Sequence, residues 1–572
     1  MPIDANELVP SIYALLTQPW PTGIASPTET AAGITPTNYA PPAVVNVLRY
    51  GADPTGVKDS TYAFQQATLS TYAGWQPTSG VCYTVFVPPG RYKFAGVPTP
   101  YGTASIFVRA GMAFICSGIG GTFLDLSAWG AVATHVFYLG WGFINGVATQ
   151  DAGGQPPEFA YCFIEGGPSG GGAAVYAHFN GGALHDVWFS ACGLGVYQSG
   201  FNIYDCVFDI GLVGILKGFG TDEYIEGCLF FNQAGAMIEF DASVSTDSSE
   251  LIISACQFSY PQNAAIVVGS GGSANIYNWR FNDCFFISNA QYSGFNGYLS
   301  IAASNACQME FNNCAFRNMK GYAVDTIAVG GILDFNNCLF DGNRTNSAYS
   351  QSTTAGGVIA GGGTVRLTNC QYRNLQNNGL EINGSAVINV RLNGVQYSGN
   401  TASSLIALTN SNTSSSVFIK DVDGDGIQPL INAQSTVQVK WKNLNNWVGA
   451  STGSGSYNYV LVPYQHASVY QITLSANLNV GGSGSYSKSA SIFASKMNDF
   501  NGAFTSFITT ATAIIDPSES NAAVAINVLF GGVPGTGTST AANSNSGSLF
   551  VSWPNTYSQV SLDIQPLGGG WA

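Results

Sequence analysis

The sequence predicts an all-β chain built mainly as a right-handed parallel β-helix, with a short capping helix near its N-terminal end and a β-sandwich at its C-terminal end. Three observations carry this: a ladder of cysteines in one repeated context, an aromatic two residues after each of them, and an Asn or Asp just before most of them. The in-register cysteines are Cys206, Cys228, Cys256, Cys284, Cys314, Cys338 and Cys370, and the row extends through Val187, Val395, Val422 and Leu444. Cys192 and Cys307 fall outside it. Like residues in like settings mark a solenoid, whose repeats stack side chain on side chain. A β-sandwich would give strands every 8–12 residues without such ladders.

Two residues after these cysteines stand Phe208, Phe230, Phe258, Phe286, Phe316, Phe340 and Tyr372. Positions i and i+2 share a strand face, so cysteine and aromatic point inward together. Three residues before the row stand Phe281, Phe311, Phe335, Leu367 and Leu392. An odd offset cannot keep one face of a straight strand, so a bend must intervene. Asp205, Asp283, Asn313, Asn337, Asn369 and Asp421 supply it, because Asn and Asp tolerate left-handed backbone. Each repeat thus reads strand, tight bend, strand, longer loop, strand. The cysteines are read as small buried hydrophobes rather than disulfides.

Composition narrows the function. Charged residues are 9% of the chain and hydrophobic ones 46%, which excludes a disordered polymer. With a net charge of −14, no nucleic-acid partner is expected, since phosphate binding needs clustered cations. A neutral or weakly charged glycan fits better. The first 48 residues hold no Lys or Arg, so no secretory leader is expected there, and no apolar run suggests membrane insertion. No C-x-x-C pair occurs, and His135, His178, His185 and His466 show no ligand or triad spacing. The stretch Asp421-Val-Asp423-Gly-Asp425-Gly426 partly matches a calcium loop, but Asn432 stands where the bidentate Glu belongs. No metal and no cofactor are expected.

At the start of the solenoid, Val45-Asn-Val-Leu-Arg-Tyr-Gly-Ala-Asp53, Gly56 and Asp59 precede a helix-like stretch, Ser60–Thr71. Ser60 is placed to cap that helix, with Phe64 and Ala67 facing inward. Then comes Val85-Phe-Val-Pro-Pro-Gly-Arg-Tyr-Lys-Phe94. These segments resemble the opening of the pectate-lyase-like superfamily of right-handed β-helices, widespread in bacteriophage tailspikes. Pro54-Thr55-Gly56 stands where that superfamily often has Gly-Asp-Gly. The resemblance implies a polysaccharide depolymerase acting at the bacterial cell surface, carried on the phage tail or baseplate through its N-terminus and working as a homotrimer. It is specific for fold and not for reaction, because the superfamily holds hydrolases, lyases and non-catalytic binders.

Three regions follow: a leader or virion-attachment segment over 1–44, the β-helix over 45–448, and the C-terminal β-sandwich over 449–572, for trimerisation or carbohydrate binding. Glycoside hydrolysis uses two carboxylates in different protonation states. The outward slot four residues before the cysteine row reads Asn202, Tyr224, Ile252, Arg280, Glu310, Asp334, Arg366, Arg391, Phe418 and Lys440. Glu310 and Asp334 are therefore the candidate catalytic pair, since neighbouring carboxylates cannot both ionise cheaply. Arg280, Arg366, Arg391 and Tyr224 are candidate substrate-binding residues, and the arginines could hold an acidic sugar or orient the pair. A surface ion-pair ladder is the competing reading of the same row. A second outward slot holds Glu239, Asp325 and Glu381 as alternates, the last two expected two rungs apart. Hydrolysis leads, with a lyase using an arginine and a receptor-binding protein without catalysis as alternatives.

Overall fold

The computed structural model describes residues 44–70 and most of 83–445; beyond 445 only backbone strands are described, and residues 1–43 lie outside the described residues. By its internal contacts the chain divides into two compact units, before and after Gln262.

In both units the coils consist of parallel strands. One coil of the second unit runs Cys307–Asn312, a bend, Ala315–Arg317, then Tyr322–Thr326. The next coil pairs Met309 with Leu333, Phe316 with Phe340 and Val324 with Val358. This is the strand–bend–strand–loop–strand repeat expected from the odd offset. The bend is left-handed backbone: φ is 54° at Asp283, 55° at Asn313, 55° at Asn337 and 52° at Asn369. The same slot in the first unit holds Asp205 at 48° and Ala255 at 51°, with glycine at Gly227. Asn313 Nδ2 donates to Asp283 Oδ1 at 3.2 Å and Asn337 Nδ2 to Asn313 Oδ1 at 3.3 Å, so the bend residues also bond to one another along the stack.

The interior is a set of ladders. Phe189, Phe208, Phe230 and Phe258 stack at 4.8–4.9 Å between ring centroids in the first unit. Phe286, Phe316, Phe340 and Tyr372 do so in the second at 4.6–5.0 Å. Phe281, Phe311 and Phe335 form the ladder before the bend. All eleven described cysteines are buried, and none of them forms a disulfide. The thiols of the in-register row point at backbone carbonyls, as Cys338 Sγ does at Phe311 O, 3.3 Å away. Cys162 lies opposite Val187 and so extends the row one rung further towards the N-terminus than its context showed. Phe316 is fully buried between two rings of its ladder. Phe316→Ala is expected to cost about 3–5 kcal/mol, read as a lower urea midpoint.

The helix spans Thr61–Ser70, with Phe64 and Ala67 fully buried. Phe64 packs edge-on against Tyr92 and Phe94. The capping expectation for Ser60 needs correction. Its Oγ accepts from the Asp53 amide at 3.0 Å, while Asp59 Oδ1 takes the Thr61 N–H at 3.0 Å. Asp53 binds the Thr55, Val57 and Lys58 amides and the Thr55 hydroxyl, which hold its pKa down to about 2. That network explains the Asp-Pro-Thr-Gly turn. A Cβ on Gly90, at φ 152°, would meet Pro54 at 2.6 Å, so the two turns of the opening motif pack backbone to backbone.

After residue 457 the strands pair antiparallel, in a three-stranded sheet that includes Asn458–Val462 and Leu549–Trp553 and a four-stranded sheet that includes Val469–Asn479 and Tyr557–Pro566. The ladder of parallel coils does not continue among these strands.

Candidate active site

On the strands before the bend in the second unit, alternate residues point out. Val390 and Leu392 are buried, whereas Asn389 and Arg391 are exposed. Strand register sets the outward residues in rows. The central row reads Arg280, Glu310, Asp334, Arg366, Arg391, Phe418 and Lys440, each paired with the next. The order is the one expected from counting back from the cysteines. One flanking row reads Asn282, Asn312, Asn336, Thr368, Asn393 and Lys420. The face is a strip of charges bordered by amides and hydroxyls.

Glu310 and Asp334 are opposite one another on adjacent rungs, about 4.8 Å apart at the backbone. Their surroundings differ. Asp334 is the more buried, its side chain 23% exposed against 40% for Glu310. Arg366 Nη1 reaches both Asp334 oxygens, at 3.0 and 3.3 Å. Arg280 Nε lies 3.7 Å from Glu310 Oε2, a looser pair. Asn336 Nδ2 donates to Glu310 Oε1 at 3.2 Å and to Asn312 Oδ1 at 3.0 Å, and Asn312 Nδ2 donates in turn to Asn282 Oδ1 at 3.0 Å. This amide ladder, which went unnoticed in the sequence, ends on the carboxylate.

Burial pushes the Asp334 pKa up; Arg366 opposes it and the Glu310 charge adds to it. One raised carboxyl was expected from repulsion between the pair. Burial is the larger cause, and the Glu310 charge adds the least.

Arg391 is exposed and follows Arg366 in the row. Tyr224 lies in the first unit, 40% exposed, opposite Ile252, with its amide bonded to Asn202 Oδ1 at 3.1 Å. In the second slot, Asp325 faces Ile359 and Ile359 faces Glu381, so the two-rung spacing holds at the backbone. The Asp325 side chain lies outside the described residues. Glu381 Oε2 accepts a 2.5 Å hydrogen bond from Tyr322 Oη. Glu239 belongs to the first unit, half-buried opposite Leu216.

The three described histidines each have close partners. His135 stacks on Tyr176 at 4.4 Å, and burial lowers its pKa to about 4. His178 Nδ1 bonds Gln150 at 2.8 Å. His185 lies 2.9 Å from both Glu158 and Asp186, which outweigh its burial and raise its pKa. His466, Asp425 and Gly426 lie outside the described residues. Among the described residues no cluster of His, Cys, Asp and Glu has the arrangement of a metal site.

A family model described as a right-handed beta helix region matches residues 192–356. The fold is a right-handed β-helix. Among solved structures the chain is similar to the tailspike protein of E. coli bacteriophage HK620 in complex with pentasaccharide, at 13% identity and a TM-score of 0.44, covering 97% of this chain and 99% of that one. It is also similar to the catalytic unit of a thermostable GH87 α-1,3-glucanase from Streptomyces thermodiastaticus strain HF3-3, at 12% identity and a TM-score of 0.36, covering 71% and 70%. ORF18 of Geobacillus virus E2 gives 15% identity and a TM-score of 0.28, covering 82% and 75%. No curated protein matches the chain.

Such a β-helix sets the backbone positions of its outward residues by strand register rather than by a loop. Two carboxylates set in this way, one partly desolvated beside an arginine and one hydrogen-bonded by an amide, sit in unequal surroundings.

Proposed function

We propose that the protein is a phage tailspike that binds a bacterial surface polysaccharide, as capsule, O-antigen or exopolysaccharide, and cuts it within the chain by hydrolysis. Asp334 gives its proton to the leaving glycosidic oxygen as the bond to the anomeric carbon breaks. Glu310 activates water or attacks that carbon. The observation that carries the reading is the placement of Glu310 and Asp334 on adjacent rungs in unequal surroundings. The amide and hydroxyl rows beside them are suited to sugar hydroxyls. The opening motif over 45–94, similar to that of tailspike β-helices, supports the setting. In that setting residues 1–44 attach the protein to the tail or baseplate, and it acts as a homotrimer at the bacterial cell surface.

A binding role without catalysis is favoured by one specific observation: each carboxylate already has an arginine partner. The two readings separate when purified protein is incubated with capsule, lipopolysaccharide and exopolysaccharide from candidate bacteria. Chains that shorten without gaining the ultraviolet absorbance of a new double bond are the expected result. Shortening with that absorbance identifies a lyase. Retention without shortening on any glycan overturns the hydrolytic reading.

A further inference from the structure

The three arginines of the central row do not have the same work. Arg366 is committed to Asp334 and Arg280 to Glu310. Among the described residues Arg391 has no ion-pair partner. It stands directly opposite Arg366, and like charges on facing positions repel. Past Asp334 the described outward residues of the row are Arg366, Arg391 and Phe418, two cations and no anion, in a chain of 18 Lys and Arg with a net charge of −14. The neighbouring outward residue repeats the theme. Asn389 Oδ1 is taken by the Ser416 hydroxyl at 2.8 Å, which leaves the Asn389 NH2 group as the donor available beside Arg391. A guanidinium fork and an amide donor side by side match a carboxylate.

We propose that the polysaccharide is acidic and that Arg391, with the Asn389 amide, binds a sugar carboxylate two rungs from Asp334. The proposal rests on the reading of this row as the glycan site, and it adds the substrate class: a polymer with a uronic or other carboxylated sugar close to the bond that is cut. Elsewhere the acidic protein repels such a polymer, so the cationic half of the row also sets where the chain lies across the carboxylates.

The test measures retention separately from cutting. Full-length protein and its Arg391→Ala variant are passed over immobilised capsular polysaccharides from a panel of candidate bacteria. Each polysaccharide is offered native and after carbodiimide–borohydride reduction of its carboxylates to alcohols. A charge-assisted contact of this kind amounts to about 10- to 100-fold in affinity. The expected result is an acidic glycan retained by the unaltered protein, with that loss on reduction. Arg391→Ala should bind the native glycan as weakly as the unaltered protein binds the reduced one, and lose nothing further on reduction. Retention of a neutral glycan, retention that survives reduction, equal binding by Arg391→Ala, or no retention of any acidic glycan each overturns the proposal. Retention of an acidic glycan through Arg391 with no shortening leaves the carboxylate site standing and removes the hydrolytic reading instead.

Discussion

Asp334→Asn is expected to lower kcat on the matched polysaccharide by about 10²- to 10⁴-fold, the range lost when a positioned general acid is removed. The substitution keeps the side chain's shape and its place opposite Glu310. It sacrifices an ion pair with an arginine that is 44% exposed, and pairs of that kind contribute at most about 1 kcal/mol. The urea midpoint should therefore barely move while cutting collapses, and glycan retention should persist. The pH profile supplies an independent sign. A general acid works protonated, so activity falls as pH rises through the Asp334 pKa, which burial holds above the usual carboxylate value. Arg366 pulls that pKa down, so Arg366→Ala should carry the alkaline limb to higher pH. Unchanged cutting by Asp334→Asn would return the row to an ion-pair ladder.

The sequence made the repeat legible because a solenoid writes its core in one alphabet. Cys314, Phe316 and Phe311 reappear a rung later as Cys338, Phe340 and Phe335, and stacking leaves no other reason for such agreement. The bend was legible for a related reason: Asn313 and Asn337 occupy left-handed backbone that few other residues accept. Counting back from the cysteines then gave the outward row by register alone. What the row does with its charges was not legible. Whether Arg366 turns to Asp334 or to solvent is a rotamer choice that strand register does not fix. The link from Asn336 to Glu310 is diagonal between rungs and leaves no trace in spacing. At the helix start, Ser60 and Asp59 are equally good capping residues by type, and the nearby Asp53 amide decides between them by engaging Ser60.

Replacing Lys217 by Ala is expected to destabilise the first unit by about 3–5 kcal/mol, a change in urea midpoint larger than any substitution of the outward row should give. Lys217 ends the strand Val213–Lys217 on an inward position, where it faces Gln198 on one rung and Phe240 on the other. Glu223 begins the strand Glu223–Glu226 with an alternation that puts it and Ile225 inside. Lys217 Nζ lies 2.6 Å from Glu223 Oε2, and both side chains are essentially without solvent contact, at 0% and 1%. Backbone adds one contact to each: Lys217 Nζ donates to Gly218 O at 2.8 Å, and the Gly200 amide donates to Glu223 Oε1. A Cβ at Gly220 would collide with that carboxylate, so glycine makes room for it. Burial works against both charges, lowering the Lys217 pKa and raising that of Glu223, and each is tolerated because the other is there. Removing one leaves a bare ion in the core. Replacing both, as Lys217→Met with Glu223→Leu, removes the desolvation cost along with the attraction and should bring stability back to within about 1–2 kcal/mol of the starting protein, or above it. The sign of that double replacement separates an ion pair that sustains the coil from one the coil merely accommodates, since only the first predicts that the double variant stays as unstable as Lys217→Ala alone.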